Sequence, residues 1–351
     1  MGKLLPSMRY VPLGTTGVQV SPLCLGAMMF GAWGNPSHEA SIAIIHRALD
    51  EGINFVDTAN VYSAGESEEI VGKALKGRRD DVVLATKFHA PMGPGPNDRG
   101  NNRKHIFKAV EDSLRRLDTD YIDLYQAHRP DPATDVADTL GALSDLVHQG
   151  KVRWIGSSTF PAPEIVEAQW AAERHQRERF VCEQPPYSIL VRNAEFEVLP
   201  TCTQQGMGVI VWSPLAGGWL SGKYRKGRPV EAGGRAARIP ERFDPTKPEN
   251  QRKFEIVEAL IPLAGKEGIP LPVMAIAWTL VHPSVTSAII GPRTMDQLVE
   301  LLPAADVELS GSILDAIDEI VPPGETVNKA DLGFENIWLR PEFRRRSFTR
   351  T

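Results

Sequence analysis

The chain alternates eight times between a short run of aliphatic and β-branched residues and a longer segment with amphipathic helical period. Strict β–α alternation forces neighbouring strands to run parallel, because each helix carries the chain back across the sheet by a right-handed crossover. The expected strand–helix units are Leu23–Leu25 with His38–Glu51, Asn54–Asp57 with Ser67–Leu75, and Val82–Thr86 with Lys104–Leu117. Asp123–Gln126 pairs with Asp135–Gln149, Val152–Gly156 with Pro163–Glu178, and Val181–Glu183 with Glu195–Gln205. Gly208–Trp212 precedes a long irregular stretch and a helix over Gln251–Glu267, and Ser287–Ile290 precedes Met295–Leu302.

Eight units without a break in composition predict an α/β chain closed into a (β/α)8 TIM barrel, a single domain over residues 1–351. An open doubly wound sheet that binds a dinucleotide would carry a glycine-rich turn after its first strand. Here Leu25-Gly26-Ala27-Met28 does not supply it, and Gly93 and Gly95 are followed by Asp98 in place of a third glycine. Three segments lie outside the units. An N-terminal hairpin within residues 8–22, turning through Gly14-Thr15-Thr16-Gly17, is expected to cover the bottom of the barrel. Residues 217–250, rich in Gly, Arg and Pro, form a long loop after the seventh strand, a length that usually marks a binding loop or lid. A further helix over Ser310–Ile320 precedes a basic tail, 340–351, with Arg340, Arg344, Arg345, Arg346 and Arg350 expected to be solvated.

Composition narrows the function classes. A chain 42% hydrophobic and 24% charged folds as a soluble globular protein, and a net charge of −5 gives no nucleic-acid surface. No run reaches the length of a membrane span, and no charged-then-apolar leader pattern opens the chain. Cys24, Cys182 and Cys202 are odd in number and lack metal-ligand spacing, which fits a reducing compartment; the cytoplasm is the expected location.

In such a barrel the reactive groups belong at the C-terminal strand ends. Three consecutive strand runs finish on Asp57, Lys87 and His128, and Tyr62 follows the first by five residues. Alone, Asp57 would be a cap, Lys87 a solvated cation, His128 a structural imidazole and Tyr62 a packing residue. Together on one rim they form a proton-transfer set. A lysine ammonium beside a tyrosine lowers the phenol's pKa, and a carboxylate keeps that ammonium charged. An imidazole can donate to a carbonyl oxygen. The set has no reductant of its own, so electrons must come from a cofactor.

These residues sit in runs that resemble the aldo-keto reductase superfamily: NFVDTANVYSAGESEEIVGKAL (Asn54–Leu75), LATKF (Leu84–Phe88), YIDLYQAHRPD (Tyr121–Asp131), IGSSTF (Ile155–Phe160), EQPPYS (Glu183–Ser188), VWSPLAGGWLSGKY (Val211–Tyr224) and IIGPRTMDQLVE (Ile289–Glu300). The later runs are most similar to the branch that holds bacterial members and potassium-channel β-subunits. The resemblance puts the family's catalytic tetrad on Asp57, Tyr62, Lys87 and His128. It implies NADPH lying across the strand ends, with Ser158 and Gln184 on the nicotinamide carboxamide and Trp212 stacked on the ring. It also implies that Ser213, Pro214, Leu215, Ala216, Gly217 and Lys223 meet the pyrophosphate. Gly291, Arg293, Thr294, Gln297 and Glu300 would take the adenosine end, with Arg293 on the 2′-phosphate. Thr159 and Leu301 depart from the family pattern, where Asn or Arg and Asn are common.

The implied activity is reduction of an aldehyde or ketone to an alcohol, with Tyr62 as proton donor and a small-molecule carbonyl substrate. Met28, Phe30, Trp33, Phe88 and Arg129 are expected to line its pocket. A subunit that senses NADP(H) with slow or vestigial turnover is the alternative. A metal-dependent hydrolase is disfavoured, since no His-x-His pair closes a strand. The sequence carries no sign of a particular substrate or oligomeric state.

Overall fold

The computed structural model describes residues 8–228, 236 and 239–333. The basic tail at 340–351 and residues 229–235, 237 and 238 of the loop lie outside them. Strands β1 (Val11–Pro12) and β2 (Gln19–Val20) form an antiparallel hairpin. Then come β3 (Leu23–Gly26), α1 (His38–Asp50), β4 (Phe55–Asp57), α2 (Glu66–Leu75), β5 (Val83–Phe88), α3 (Arg103–Leu117), β6 (Ile122–Ala127) and α4 (Val136–His148). The chain continues through β7 (Val152–Ser158), α5 (Ala162–His175), β8 (Phe180–Gln184), α6 (Val198–Gln204) and β9 (Gly208–Val211). The last helices and strands among the described residues are α7 (Pro248–Lys266), α8 (Leu271–Val281), β10 (Ser287–Ile290), α9 (Met295–Leu301) and α10 (Gly311–Ile320). Strands β3 to β10 close into a parallel barrel, β10 pairing with both β3 and β9.

The barrel interior explains the rim. Cys24, Phe55, Ala85, Leu124, Cys182 and Ile210, one from each of six strands, pack with Leu13 and Val20 of the hairpin into an inner cluster. Gly14 makes that plug possible: its φ is +55°, and a Cβ there would lie 2.6 Å from the Gly208 nitrogen. Side chains alternate in and out along a strand. Two residues beyond the inner layer, the inward positions are therefore Gly26, Asp57, Lys87, Gln126, Gln184 and Trp212. The plug fills the bottom of the barrel and the polar groups crowd its top.

Two expectations are corrected. The long Glu195–Gln205 helix is a 3-10 turn, Asn193–Glu195, followed by the shorter α6, because Glu197 leaves helical geometry at φ −135° and ψ −46°. Helix α8 has no counterpart among the eight expected strand–helix units. It buries nine of its eleven residues, so it has no polar face to give a 3.6-residue period. Most other ends fall within a residue or three of expectation, several fixed by side-chain caps such as Ser37 on Ala40 N and Asn102 on His105 N. Among the described residues, no single helix is long and apolar enough to cross a membrane.

Candidate active site

Lys87 is fully buried and spends its three donors within one small volume. Its Nζ donates to Asp57 Oδ1 at 2.5 Å, to the Thr58 carbonyl at 2.8 Å and to Tyr62 Oη at 3.4 Å. The tyrosine ring meets the His128 ring edge-on, centroids 5.7 Å apart. The four sequence-predicted residues thus converge around the phenol. Lys87 stands in register with Gln126 on β6, while Asp57 pairs with Ala85, two residues below Lys87.

A strained turn holds Tyr62 there. Ser63, Ala64 and Gly65 follow it with φ of +49°, +57° and +102°. The left-handed region costs an ordinary residue about 1–2 kcal/mol, so two such residues in succession need support. Ser63 Oγ accepts from Trp33 N at 3.1 Å, and Glu66 accepts from Ala32 N at 2.8 Å. These bonds dock the loop after β3 and set the Trp33 ring 6.0 Å from that of Tyr62. Gly65 is required: a Cβ would stand 2.7 Å from Arg116 Cδ.

Electrostatics corrects one expectation. Burial raises the Tyr62 pKa, and Lys87 only partly offsets it, so the phenol sits above its ordinary value. Burial works against the Lys87 ammonium, but Asp57 and Tyr62 outweigh it and hold Lys87 above its usual range. His128 is driven well below its ordinary value by burial, then by Lys87 and Arg129. At neutral pH the site holds a protonated phenol, a charged ammonium and a neutral imidazole.

Gln126 was missed in the sequence. Its Nε2 donates to Asp57 Oδ2 at 3.2 Å, and its Oε1 accepts from Gln184 Nε2 at 3.2 Å. Gln184 Nε2 also reaches Asp57 Oδ2, at 3.0 Å. The available signal was spacing: Gln126 lies two residues before His128 and so shares its strand face.

The other sequence-predicted residues close or follow strands β7 to β10. Ser158 on β7 pairs in register with Gln184, and its hydroxyl donates to the Gln184 carbonyl at 2.9 Å. Trp212 follows β9, and its Nε1 donates to Thr159 Oγ1 at 3.3 Å. Beside it a cleft is lined by Trp212, Ser213, Ala216 and Gly217, with Trp219, Phe243 and Asp331 on its other walls. Ser213, Ala216 and Gly217 all have positive φ. Their turn is closed on itself, Ala216 N donating to the Ser213 carbonyl and Gly217 N to Ser213 Oγ. Pro214 and Leu215 complete that turn, and Lys223 is exposed beyond it. Gly291 follows β10. Arg293 is held by its backbone, N donating to Gln297 Oε1 at 2.8 Å and the carbonyl accepting from Asn35 Nδ2 at 3.0 Å. Thr294 caps α9, and Glu300 is exposed on that helix. Leu301 is buried in the main core.

Two expected pocket residues are not at the pocket. Phe88 is fully buried against Tyr125, ring centroids 4.9 Å apart, because strand alternation that turns Lys87 inward turns its neighbour outward. Phe30 is likewise fully buried in the main core. Trp33 and Arg129 do border the tyrosine and histidine, and Met28 is half-buried nearby in sequence.

Comparison with known proteins places this geometry. The profile of the aldo/keto reductase family matches residues 22–322. An uncharacterised oxidoreductase of Bacillus subtilis, YrpG, is 41% identical over 329 residues, covering 90% of this chain and 97% of its own. A probable voltage-gated potassium channel subunit beta of Arabidopsis thaliana is 37% identical over 331 residues, with coverages of 90% and 97%. A versiconal hemiacetal acetate reductase of Aspergillus parasiticus is 34% identical over 350 residues, with coverages of 91% and 100%. A parallel barrel whose rim gathers these groups, matched by that profile over most of its length, belongs to the aldo/keto reductase family and is an oxidoreductase.

Proposed function

We propose that the protein is a cytoplasmic, NADPH-dependent reductase that converts an aldehyde or ketone to the alcohol. The carrying observation is Lys87 Nζ set between Asp57 Oδ1 and Tyr62 Oη, with the His128 ring against the phenol. When bound, the nicotinamide supplies a hydride, two electrons and one hydrogen, to the carbonyl carbon. The chain's part is the second hydrogen. Tyr62, kept protonated by its surroundings, donates that proton to the carbonyl oxygen as the C–O π bond opens, and Lys87 stabilises the phenolate left behind. Neutral His128 donates a hydrogen bond to the same oxygen and orients the carbonyl.

The residues fit a dinucleotide. Trp212 offers a flat wall, and the left-handed backbone of Ser213, Ala216 and Gly217 brings main chain to the edge of the cleft. Ser158 and the Oε1 of Gln184 suit a carboxamide. Arg293, whose guanidinium makes no ion pair among the described residues, suits a 2′-phosphate and favours NADPH over NADH. Three buried free cysteines fit a reducing cytoplasm.

Replacing Tyr62 by Phe tests the mechanism. Turnover of aldehydes should fall on the order of 10²–10⁴-fold, while NADPH still quenches tryptophan fluorescence at similar concentrations. Unchanged turnover would end this reading. The likeness to proteins named as channel β-subunits supports a second one, an NADP(H)-sensing subunit with vestigial turnover. Absence of steady-state turnover across aldehydes and ketones, with tight NADP retained, would favour it.

A further inference from the structure

We propose that Arg129 selects the substrate by receiving a carboxylate carried on the aldehyde or ketone presented to Tyr62 and His128. The inference rests on the reductase reading above and adds to it a chemical class of substrate.

Arg129 directly follows His128 at the barrel rim. One corner of its guanidinium is fixed: Nη1 donates to the His128 carbonyl at 2.6 Å and to Thr159 Oγ1 at 3.1 Å. The same threonine oxygen accepts from Trp212 Nε1, so the cation is tied to the wall of the cleft, its Cζ 5.9 Å from the Trp212 ring centroid. The other edge, Nε with Nη2, makes no hydrogen bond among the described residues, and none of their carboxylates stands within ion-pair distance. Other shielded arginines in this chain are treated differently. Arg79 meets Asp123, Arg116 meets Glu68, and Arg192 meets both Glu195 and Asp318.

A shielded guanidinium without a countercharge is costly, and burial does lower the Arg129 pKa. Lys87 cannot share its own carboxylate, since Asp57 Oδ1 is committed to the ammonium and Oδ2 to two amides. Glu183 acts on Arg129 through space, but its oxygens are turned to Ser157 Oγ at 2.5 Å and Phe160 N at 3.1 Å. Among the described residues, the rim beside the phenol therefore carries more positive charge than carboxylate paired with it. The Nε–Nη2 edge of a guanidinium is the edge that pairs bidentately with a carboxylate.

The test compares 4- and 3-carboxybenzaldehyde with their methyl esters, using the intact enzyme and NADPH. The wild type should show a higher kcat/KM for the acids, mainly through KM. In Arg129→Leu the acid-to-ester ratio should fall on the order of 10–100-fold, and Arg129→Lys should recover part of it as a point charge. Benzoate should inhibit ester reduction competitively, and more weakly in Arg129→Leu than benzamide inhibition changes. NADPH binding by fluorescence checks that each variant is folded. A wild-type ratio at or below one overturns the proposal. So does an equal loss for acid and ester in both variants, which would mark Arg129 as support for Thr159 and Trp212 only. No turnover of acids, esters or other carbonyls by the wild type would instead sink the reductase reading beneath it.

Discussion

Gln126 Nε2 donates to Asp57 Oδ2 at 3.2 Å, on the opposite side of the carboxylate from Lys87, which holds Oδ1 at 2.5 Å. The buried carboxylate is thus fixed from both sides, and Gln184 adds a second amide to Oδ2. Gln126 touches neither Tyr62 nor His128 among the bonds described. It acts by aiming Asp57, which in turn aims the ammonium.

Gln126→Leu should therefore cost activity without removing any group from the reacting atoms. A hydrogen bond to a charged group is worth about 1.5–3 kcal/mol, so kcat should fall roughly 10-fold or more. Gln126→Glu should be worse, because a second carboxylate beside Asp57 forces one of the pair to hold a proton. Steady-state kinetics on both variants, with NADPH affinity measured separately, checks the order. If Glu is tolerated as well as Gln, the amide is not positioning Asp57.

Much of this arrangement was legible because topology does the work. Once eight β–α units imply a closed parallel barrel, Asp57, Lys87 and His128 must rise at one rim. What topology does not encode was harder. Gln126 sits in the apolar run Ile122–Ala127, where a lone amide carries no periodic signature beyond its two-residue spacing from His128. Phe88 could have been assigned outward from Lys87 by that same spacing. The direction of the Tyr62 pKa depends on how far burial outweighs a neighbouring cation, which residue identity alone does not reveal.

Helix α8 is the case where the local signal fails outright. It follows α7 without an intervening strand, and it is apolar on every face. Its stabilising role gives a plain prediction. Ile276 is fully buried within it, so Ile276→Ala should destabilise the fold by about 2–5 kcal/mol. Urea unfolding should show a lower midpoint with an unchanged slope. A shift worth under about 0.5 kcal/mol, typical of surface positions, would contradict the packing described.

Glu183 carries a pH dependence of stability. It is fully buried, and burial lifts its pKa to about 7 despite hydrogen bonds from Ser157 Oγ and Phe160 N that favour the charged form. An unfolded glutamate titrates near 4.3 or so, about where a free carboxyl does. Below that pH both states hold the proton. As pH rises towards about 7 the unfolded chain has lost it and the folded chain has not, so stability falls across that window. Glu183→Gln removes the fall while keeping an acceptor for Phe160 N. The stability difference, variant minus wild type, should climb from pH 4 to pH 7 and then level off. Urea titrations at stepped pH measure it, and a flat difference would refute the raised pKa.

Arg293 tests which dinucleotide the rim is built for. Its backbone is pinned on both sides, by Gln297 Oε1 and Asn35 Nδ2, so the side chain's position depends on the loop after β10 rather than on an ion pair. A guanidinium placed for a 2′-phosphate contributes nothing to a cofactor that lacks one. Arg293→Ala should therefore raise KM for NADPH on the order of 10–100-fold, the worth of one charge-assisted contact. KM for NADH should move much less, so the two values converge. Salt should give an independent check. The wild-type KM for NADPH should rise with ionic strength more steeply than that of the variant, because the lost interaction is between charges. If both cofactors weaken together, Arg293 is bracing the loop, and the proposed reading of NADPH through Arg293 is wrong.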